Sequence, residues 1–189
     1  MAGPPVRTDI VEVYVFRVDD RRDPLPDQAS IAGRVSHLAF LQMRRTRGPM
    51  AATWQPVMGH TEPAQNGHRG ESASETAIRE LAQETGYKPG AGLIGFWQLE
   101  SVSPYFMAKE NCVMMSPCFA AQVASDVEPV LNEEHDGFRW VRRDRVDRMF
   151  VWPGQRVAID QIVRDIVPQD GLTTQSKNSV AGLLRIDLP

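Results

Sequence analysis

The chain has only two cysteines, no long apolar run, no block of like charge and no internal repeat. Each scarcity excludes something. Without roughly 18 consecutive apolar residues there is no candidate membrane-spanning helix. The opening Met1-Ala2-Gly3-Pro4-Pro5-Val6-Arg7 lacks the apolar centre of a secretory signal. Cys112 and Cys118 stand six positions apart. In one extended strand that is about 20 Å, far beyond the roughly 7 Å reach of a disulfide. Both read as small buried apolar residues of a reducing compartment, so the expected address is cytoplasmic. A net charge of −3 with no basic tract argues against a stable nucleic-acid partner, and nothing suggests a membrane partner. The balance of 42% apolar and 24% charged residues excludes disordered and coiled-coil classes. A length of 189 residues suits one domain, 1–189. Its core is expected over about 8–168, with 169–189 as a flexible, initially polar tail.

What is present reads as strands around a mid-chain helix. Ile10–Phe16 is rich in β-branched and aromatic residues and predicts a first strand. Arg21–Asp27, all prolines and charges apart from one leucine, predicts a loop. His37–Arg44 predicts a buried strand ending in a turn near Gly48-Pro49, and Trp54–Gly59 a short extended piece. Strands are expected again at Leu93–Val102, Val113–Val123 and Phe138–Val141. Gly154–Val167 predicts an amphipathic helix with Val157, Ile159, Ile162, Val163 and Ile166 as its apolar positions, stopped by Pro168. Strands before and after a helix, with a second helix at the end, suggest a sheet between helices, an α/β class.

The mid-chain helix is the sharpest local signal. Ser72-Ala73-Ser74-Glu75 has capping-box spacing, in which hydroxyl and carboxylate satisfy orphan amides reciprocally. Gly86 stands where a helix ends in a left-handed residue, so the helix is expected over Ala73–Thr85. At about 100° per residue, Ile78, Leu81, Ala82 and Thr85 share one side. Glu80, Gln83, Glu84 and Thr76 share the other. Glu80 and Glu84 lie one turn apart, a repulsive spacing that costs a few tenths of a kcal/mol. Such a pair is either a solvated face or two oxygen ligands for a hard divalent cation; incomplete carboxylate cages favour Mg2+.

The residues around that pair carry a resemblance. Glu71, followed eight positions later by Arg79-Glu80-Leu81-Ala82-Gln83-Glu84-Thr85-Gly86-Tyr87, resembles the Nudix box: glycine, five residues, glutamate, seven residues, then Arg-Glu-apolar-any-Glu-Glu-any-Gly-apolar. Two positions depart. Gln83 replaces the first glutamate of the Glu-Glu pair, keeping an oxygen on the expected metal face but losing a charge. If Gly59 is the opening glycine, eleven residues rather than five precede Glu71. Lengthening a loop is cheap, about 0.6 kcal/mol per doubling. The segment around Glu134-His135 and Trp140, with Trp54-Gln55 and a final helix near Trp152 and Arg156, is similar to bacterial Nudix enzymes acting on dATP or dihydroneopterin triphosphate.

The resemblance implies a Nudix-type α/β/α sandwich with a mixed β-sheet, and Mg-dependent hydrolysis of a diphosphate linkage in a nucleoside triphosphate-like small molecule. Mg2+ is the implied cofactor, with Mn2+ an able substitute, and the chain is expected as a monomer or homodimer. The implied metal ligands are Glu80, Glu84, Glu134 and the Gly59 carbonyl. Glu134, Glu80 and Arg79 are the implied catalytic set, with Glu71 and Gly86 structural. Arg79 is expected to pair with Glu71, against competition from Glu75 one turn earlier. Arg44 and Arg45 at a strand end are candidates for phosphate contact, and Trp54 for stacking on a base; a solvated strand end and an ordinary core aromatic are the alternatives. His60 and His68 have no cysteine near them, so a zinc site is not expected. Nucleotide sugars or dinucleoside polyphosphates as substrates, or a nucleotide-sensing module without turnover, remain alternatives. No basic tract supports RNA decapping.

Overall fold

The first long strand sets the architecture. After the two-residue β1 (Val6–Arg7), strand β2 (Ile10–Val18) is buried at every position from Val11 to Phe16. A strand buried on both faces must have layers above and below it. Its odd-numbered residues Val11, Val13 and Val15 enter one apolar cluster, with Ala77, Leu81, Tyr87 and Phe96. Its even-numbered Tyr14 and Phe16 enter a second cluster, with Phe40, Trp97, Ile159 and Ile162. The sheet therefore lies between two helical layers, as expected.

This is a computed structural model, and it describes residues 3–19, 31–48, 50–65, 69–167 and 180–188. The loop read at Arg21–Asp27, Pro49, Gly67, His68, Pro168 and residues 169–179 lie outside the described residues. Helix α1 (Ile31–Ser36) precedes β3 (Leu38–Arg45), followed by β4 (Trp54–Gln55) and β5 (Val57–His60). Helix α2 (Ala73–Thr85) leads to β6 (Lys88–Pro89), β7 (Gly92–Met107), β8 (Cys112–Val123) and β9 (His135–Arg142). The short α3 (Val146–Met149), then α4 (Pro153–Gln161) and α5 (Val180–Leu184), complete the order. The sheet is mixed: β2 runs parallel to β8 and antiparallel to β3 and β5.

One irregularity shapes the functional region. β3 pairs with β2 through Leu38–Phe40 but with β4 at Met43 and Arg44. The other end of β2, Ile10–Val13, pairs instead with β5. The two central strands thus diverge, and the segment from Trp54 to His60 bridges the fork, with Pro56 between β4 and β5.

Several elements differ from expectation. The hairpin β7–β8 is longer than its apolar pattern, because Pro104-Tyr105-Phe106 still pairs with Val113–Met115 beyond a register shift between Gln98 and Val102. His135 opens β9 rather than sitting in a loop, and it is buried. The last long helix ends as α4 at Gln161 and continues as one wide π turn, Ile162–Ile166. Of the expected apolar positions Ile159, Ile162 and Ile166 are buried and Val163 packs against the core, whereas Val157 is 59% exposed; Gln155, Ala158 and Gln161 are buried as well. Gln161 is satisfied where it is buried, its Oε1 accepting from both the amide and the hydroxyl of Ser101 on β7. Residues 180–188, read as part of a loose tail, form α5 and a short extended piece on the sheet. Ala181 and Leu184 are buried there, and the Ile186 amide donates to the Phe96 carbonyl at 2.9 Å. Cys112 and Cys118 are buried, unlinked and on one strand. Among the described residues no helix is long and apolar enough to cross a membrane.

Candidate active site

Helix α2 occupies the span its caps predict. Ser72 accepts from the Glu75 amide while Glu75 accepts from the Ser72 amide at 2.8 Å, and Gly86 closes the helix at φ 76°. That left-handed conformation favours glycine because it has no Cβ to clash. The apolar face is rotated from the expected one: Thr76, Ala77, Leu81, Glu84 and Thr85 are buried, and Ile78 and Ala82 only partly so. The carboxylate of Glu84 therefore lies inside the protein, not on a solvated face.

Glu84 is 2% exposed, and its Oε2 has no hydrogen-bond partner among the described residues. Burial is the main reason its carboxyl is pushed up to about 9; Glu80 and Glu134 add repulsion, opposed by the Met58 amide and by Arg45. Burial also raises the Glu80 carboxyl, against the pull of Arg79. Glu134 contributes repulsion at both groups, which places three acids at one locus.

Gly59, on β5, faces this locus directly. A Cβ there would overlap the Glu80 carboxyl, so only glycine lets strand and helix approach this closely. Arg79 ties the same region together. Its Nε and Nη2 donate to the two oxygens of Glu71 at 2.7 and 2.9 Å, a bidentate pair. Nη1 donates to Glu80 at 2.8 Å, and Nη2 also to the His60 carbonyl at 2.9 Å. The guanidinium holds Glu71 down to about 2. Glu75 is not a competitor: it pairs with Arg69 at 2.9 Å and with the helix N-terminus.

Two sequence readings need correction here. Gln83 does not turn its oxygen toward the acids; it is exposed and accepts from Arg79 Nη1 at 3.0 Å. The i, i+4 spacing that puts it near Arg79 is satisfied before any metal face is reached. Arg44 is not beside the acids either. It points to the opposite side of the sheet, into a bidentate pair with Asp136 at 2.7 and 2.9 Å. Its neighbour Arg45 is the one at the site, 3.6 Å from Glu134, as strand alternation requires. Glu133 pairs outward with Arg47, whereas the Glu134 amide is fixed by Asn132 Oδ1 at 3.1 Å. Trp54 lies on the Arg44 side, with the Arg139 guanidinium 4.0 Å over its ring.

A hard cation fits this donor set. The orphaned, buried Glu84 oxygen lacks the partner that a buried carboxylate needs, and the missing side chain at Gly59 leaves its strand against Glu80. Among the described residues no group of three or more His, Cys, Asp or Glu side chains would by itself, as it stands, hold an ion.

Comparisons with known proteins identify the family. The family model for the NUDIX domain matches residues 9–162. The chain therefore belongs to the NUDIX family and is built as a Nudix hydrolase. Similar folds include a Caenorhabditis elegans Ap4A hydrolase binary complex, at TM-score 0.56 and 15% identity over 82% of this chain and 95% of that one. The NUDIX domain of Shewanella oneidensis NrtR complexed with ADP ribose gives 0.56 and 16%, over 92% and 91%. The Escherichia coli dihydroneopterin triphosphate pyrophosphohydrolase gives 0.54 and 17%, over 83% and 98%. At these identities the likeness is one of fold. A curated octanoyltransferase from Myxococcus xanthus is 31% identical over 116 residues, 60% of this chain and 29% of that protein. The chain thus spans under a third of that relative's length.

Proposed function

We propose that the protein is a nucleotide pyrophosphohydrolase that cuts a diphosphate linkage in a nucleoside triphosphate-like small molecule, with Mg2+ as its cofactor and Mn2+ as a substitute. The observation that carries this reading is the buried Glu84 oxygen without a partner, set beside Glu80 and opposite a glycine whose Cβ would strike Glu80. Glu80, Glu84, Glu134 and the Gly59 carbonyl are the groups that would hold the ion. Bound there, Mg2+ supplies charge neutralisation for the phosphates and a lowered pKa for attacking water.

The chain's own residues do the rest. Arg79 fixes the Glu80 carboxylate and, through Glu71 and the His60 carbonyl, keeps helix, loop and β5 in register. Glu134, whose amide donates to Asn132 Oδ1 and whose carbonyl accepts from the Thr46 amide, would take a proton from the attacking water. Arg45, beside Glu134, offers a cation to a phosphate oxygen. Gly86 lets α2 end under Val130, whose amide donates to the Thr85 carbonyl at 2.9 Å, so the loop carrying Glu134 hangs from the same helix. The neighbours with Ap4A hydrolase and dihydroneopterin triphosphate pyrophosphohydrolase in their names support a phosphoanhydride substrate; a cytoplasmic setting suits it.

The test is a panel of nucleoside triphosphates, dinucleoside polyphosphates and ADP-ribose, incubated with Mg2+ or with chelator and analysed for products. Release of pyrophosphate or phosphate only with the ion supports the reading. Absence of cleavage of every phosphoanhydride contradicts it and favours a sensing module.

A further inference from the structure

Gln55 is a buried amide on the acid side of the sheet, and the ion ligands leave it unused. On β4 it stands opposite Met43 of β3, and Met43 belongs to the apolar cluster under α2. Val57, two residues on, belongs to the same cluster. Gln55 therefore points to the face that carries Glu80 and Glu84. It is 5% exposed, and its Nε2 has no hydrogen-bond partner among the described residues. A buried donor in that state costs free energy until a partner arrives.

Its neighbours are those of the acids. Arg45 lies two residues beyond Met43, which makes it the diagonal neighbour of Gln55, about 7–8 Å away. Met58, whose amide bonds to the Glu84 carboxyl, is three residues along the chain, about 10 Å at most. Gly59, against Glu80, comes next. Gln55, Val57 and Gly59 thus follow one line on the sheet, and Glu84 and Glu80 lie along the same line on α2.

Two orphaned buried nitrogens flank Arg45, and they differ in kind. His135 stands opposite Arg45 on β9, and its Nε2 also lacks a partner among the described residues. Its Nδ1 faces Asn132 Oδ1 at 3.4 Å, an oxygen that already accepts from the Glu134 amide. The proton of the neutral ring therefore lies on Nδ1, and Nε2 is an acceptor. Gln55 Nε2 is a donor only. Of these two, Gln55 is the one that suits an anion.

We infer that Gln55 is a substrate-binding residue, whose Nε2 donates to a non-bridging oxygen of the diphosphate held at Glu80 and Glu84. The inference rests on the hydrolase reading above. A phosphate oxygen carries no proton, so it accepts from the amide without competition. The donor lies between the Arg45 cation and the ion site, where negative oxygens are drawn in. Arg45 supplies charge there, whereas a neutral amide supplies direction, fixing which oxygen turns toward the ion.

Methylenediphosphonate tests this, because it is a diphosphate that water cannot cleave and it carries no base. Its binding to the full-length protein in saturating Mg2+ is read by calorimetry, and Mn2+ binding without it by paramagnetic resonance. Gln55→Leu removes both polar atoms and leaves none unsatisfied. It should weaken methylenediphosphonate at least about tenfold while Mn2+ affinity stays within about twofold, which also shows an intact site. Gln55→Glu keeps the size and an oxygen but no donor, and should weaken the diphosphonate at least as much. Diphosphonate binding in Gln55→Leu within about twofold of the unaltered protein overturns the inference. So does full binding in Gln55→Glu, which would make the oxygen the working end of the amide. Parallel loss of Mn2+ in both variants also overturns it, since Gln55 would then serve the ion site. An unaltered protein that binds Mn2+ but not the diphosphonate contradicts this inference alone; one that binds neither contradicts the hydrolase reading with it.

Discussion

The two long helices flank the same sheet but are built by different rules. Helix α2 carries a complete capping box, a left-handed glycine stop and a buried carboxylate with an unsatisfied oxygen. Helix α4 has a proline in its first turn, no side-chain cap, and runs without a stop into a π turn; its buried face is apolar apart from Gln155 and Gln161. The difference shows where local signals are needed. A helix that buries Ala158, Ile159 and Ile162 is held by the sheet beneath it. One that must bury Glu84 beside Glu80 loses free energy at that face and is fixed at both ends by its own sequence.

That contrast can be broken in several places. The largest effect is expected at the site: Glu84→Gln should lower Mg-dependent hydrolysis by at least about a hundredfold, measured as kcat. The same variant should leave the thermal midpoint near its original value in metal-free buffer at neutral pH. With its pKa raised from 4.5 to about 9, the carboxyl is mostly protonated there, and the amide has the same shape. The sign of the pH dependence follows. A folded-state pKa above the unfolded one means that the native state binds more protons between the two values. The associated stability is complete below about pH 4.5 and declines as pH rises toward 9. Metal-free protein should therefore melt at progressively lower temperature over that window, and Glu84→Gln should show a flatter profile.

Away from the acids the effects are on stability alone. Ile159→Ala should cost about 3 kcal/mol in denaturant unfolding, by lost burial plus cavity. Ser72→Ala, which removes the cap of α2, should cost about 1 kcal/mol. Smallest of all, Val157→Ser should stay within about 0.5 kcal/mol, because that side chain is largely in water. A loss at Val157 as large as that at Ile159 would mean that Val157 is packed in the core, as the sequence pattern first suggests.

The parts legible in the sequence are those whose cause is local. Ser72, Glu75 and Gly86 mark the ends of α2 because capping acts over three or four residues. The Arg79–Glu71 pair is legible through the box spacing. The illegible parts depend on partners distant in the chain. The burial of Gln161 depends on Ser101, 60 residues away. Arg45 rather than Arg44 reaches Glu134 because β9 fixes which face each side chain takes, and no pattern within β3 reveals it. Trp54 and Arg139 meet only because β3 lies between β4 and β9. The depth of Glu84 was obscured by its charge: on a helical wheel an acid reads as solvent-facing, and the cost of burying it appears only when β5 closes over it.

The central claim is that Glu80, Glu84 and the side chain missing at Gly59 together make a divalent-ion site. Titration of Mn2+ followed by its paramagnetic resonance tests this without any substrate. The account predicts saturable binding to the unaltered protein, weakened at least about tenfold in Glu84→Gln and in Gly59→Ala. Binding of equal strength in all three proteins would contradict it.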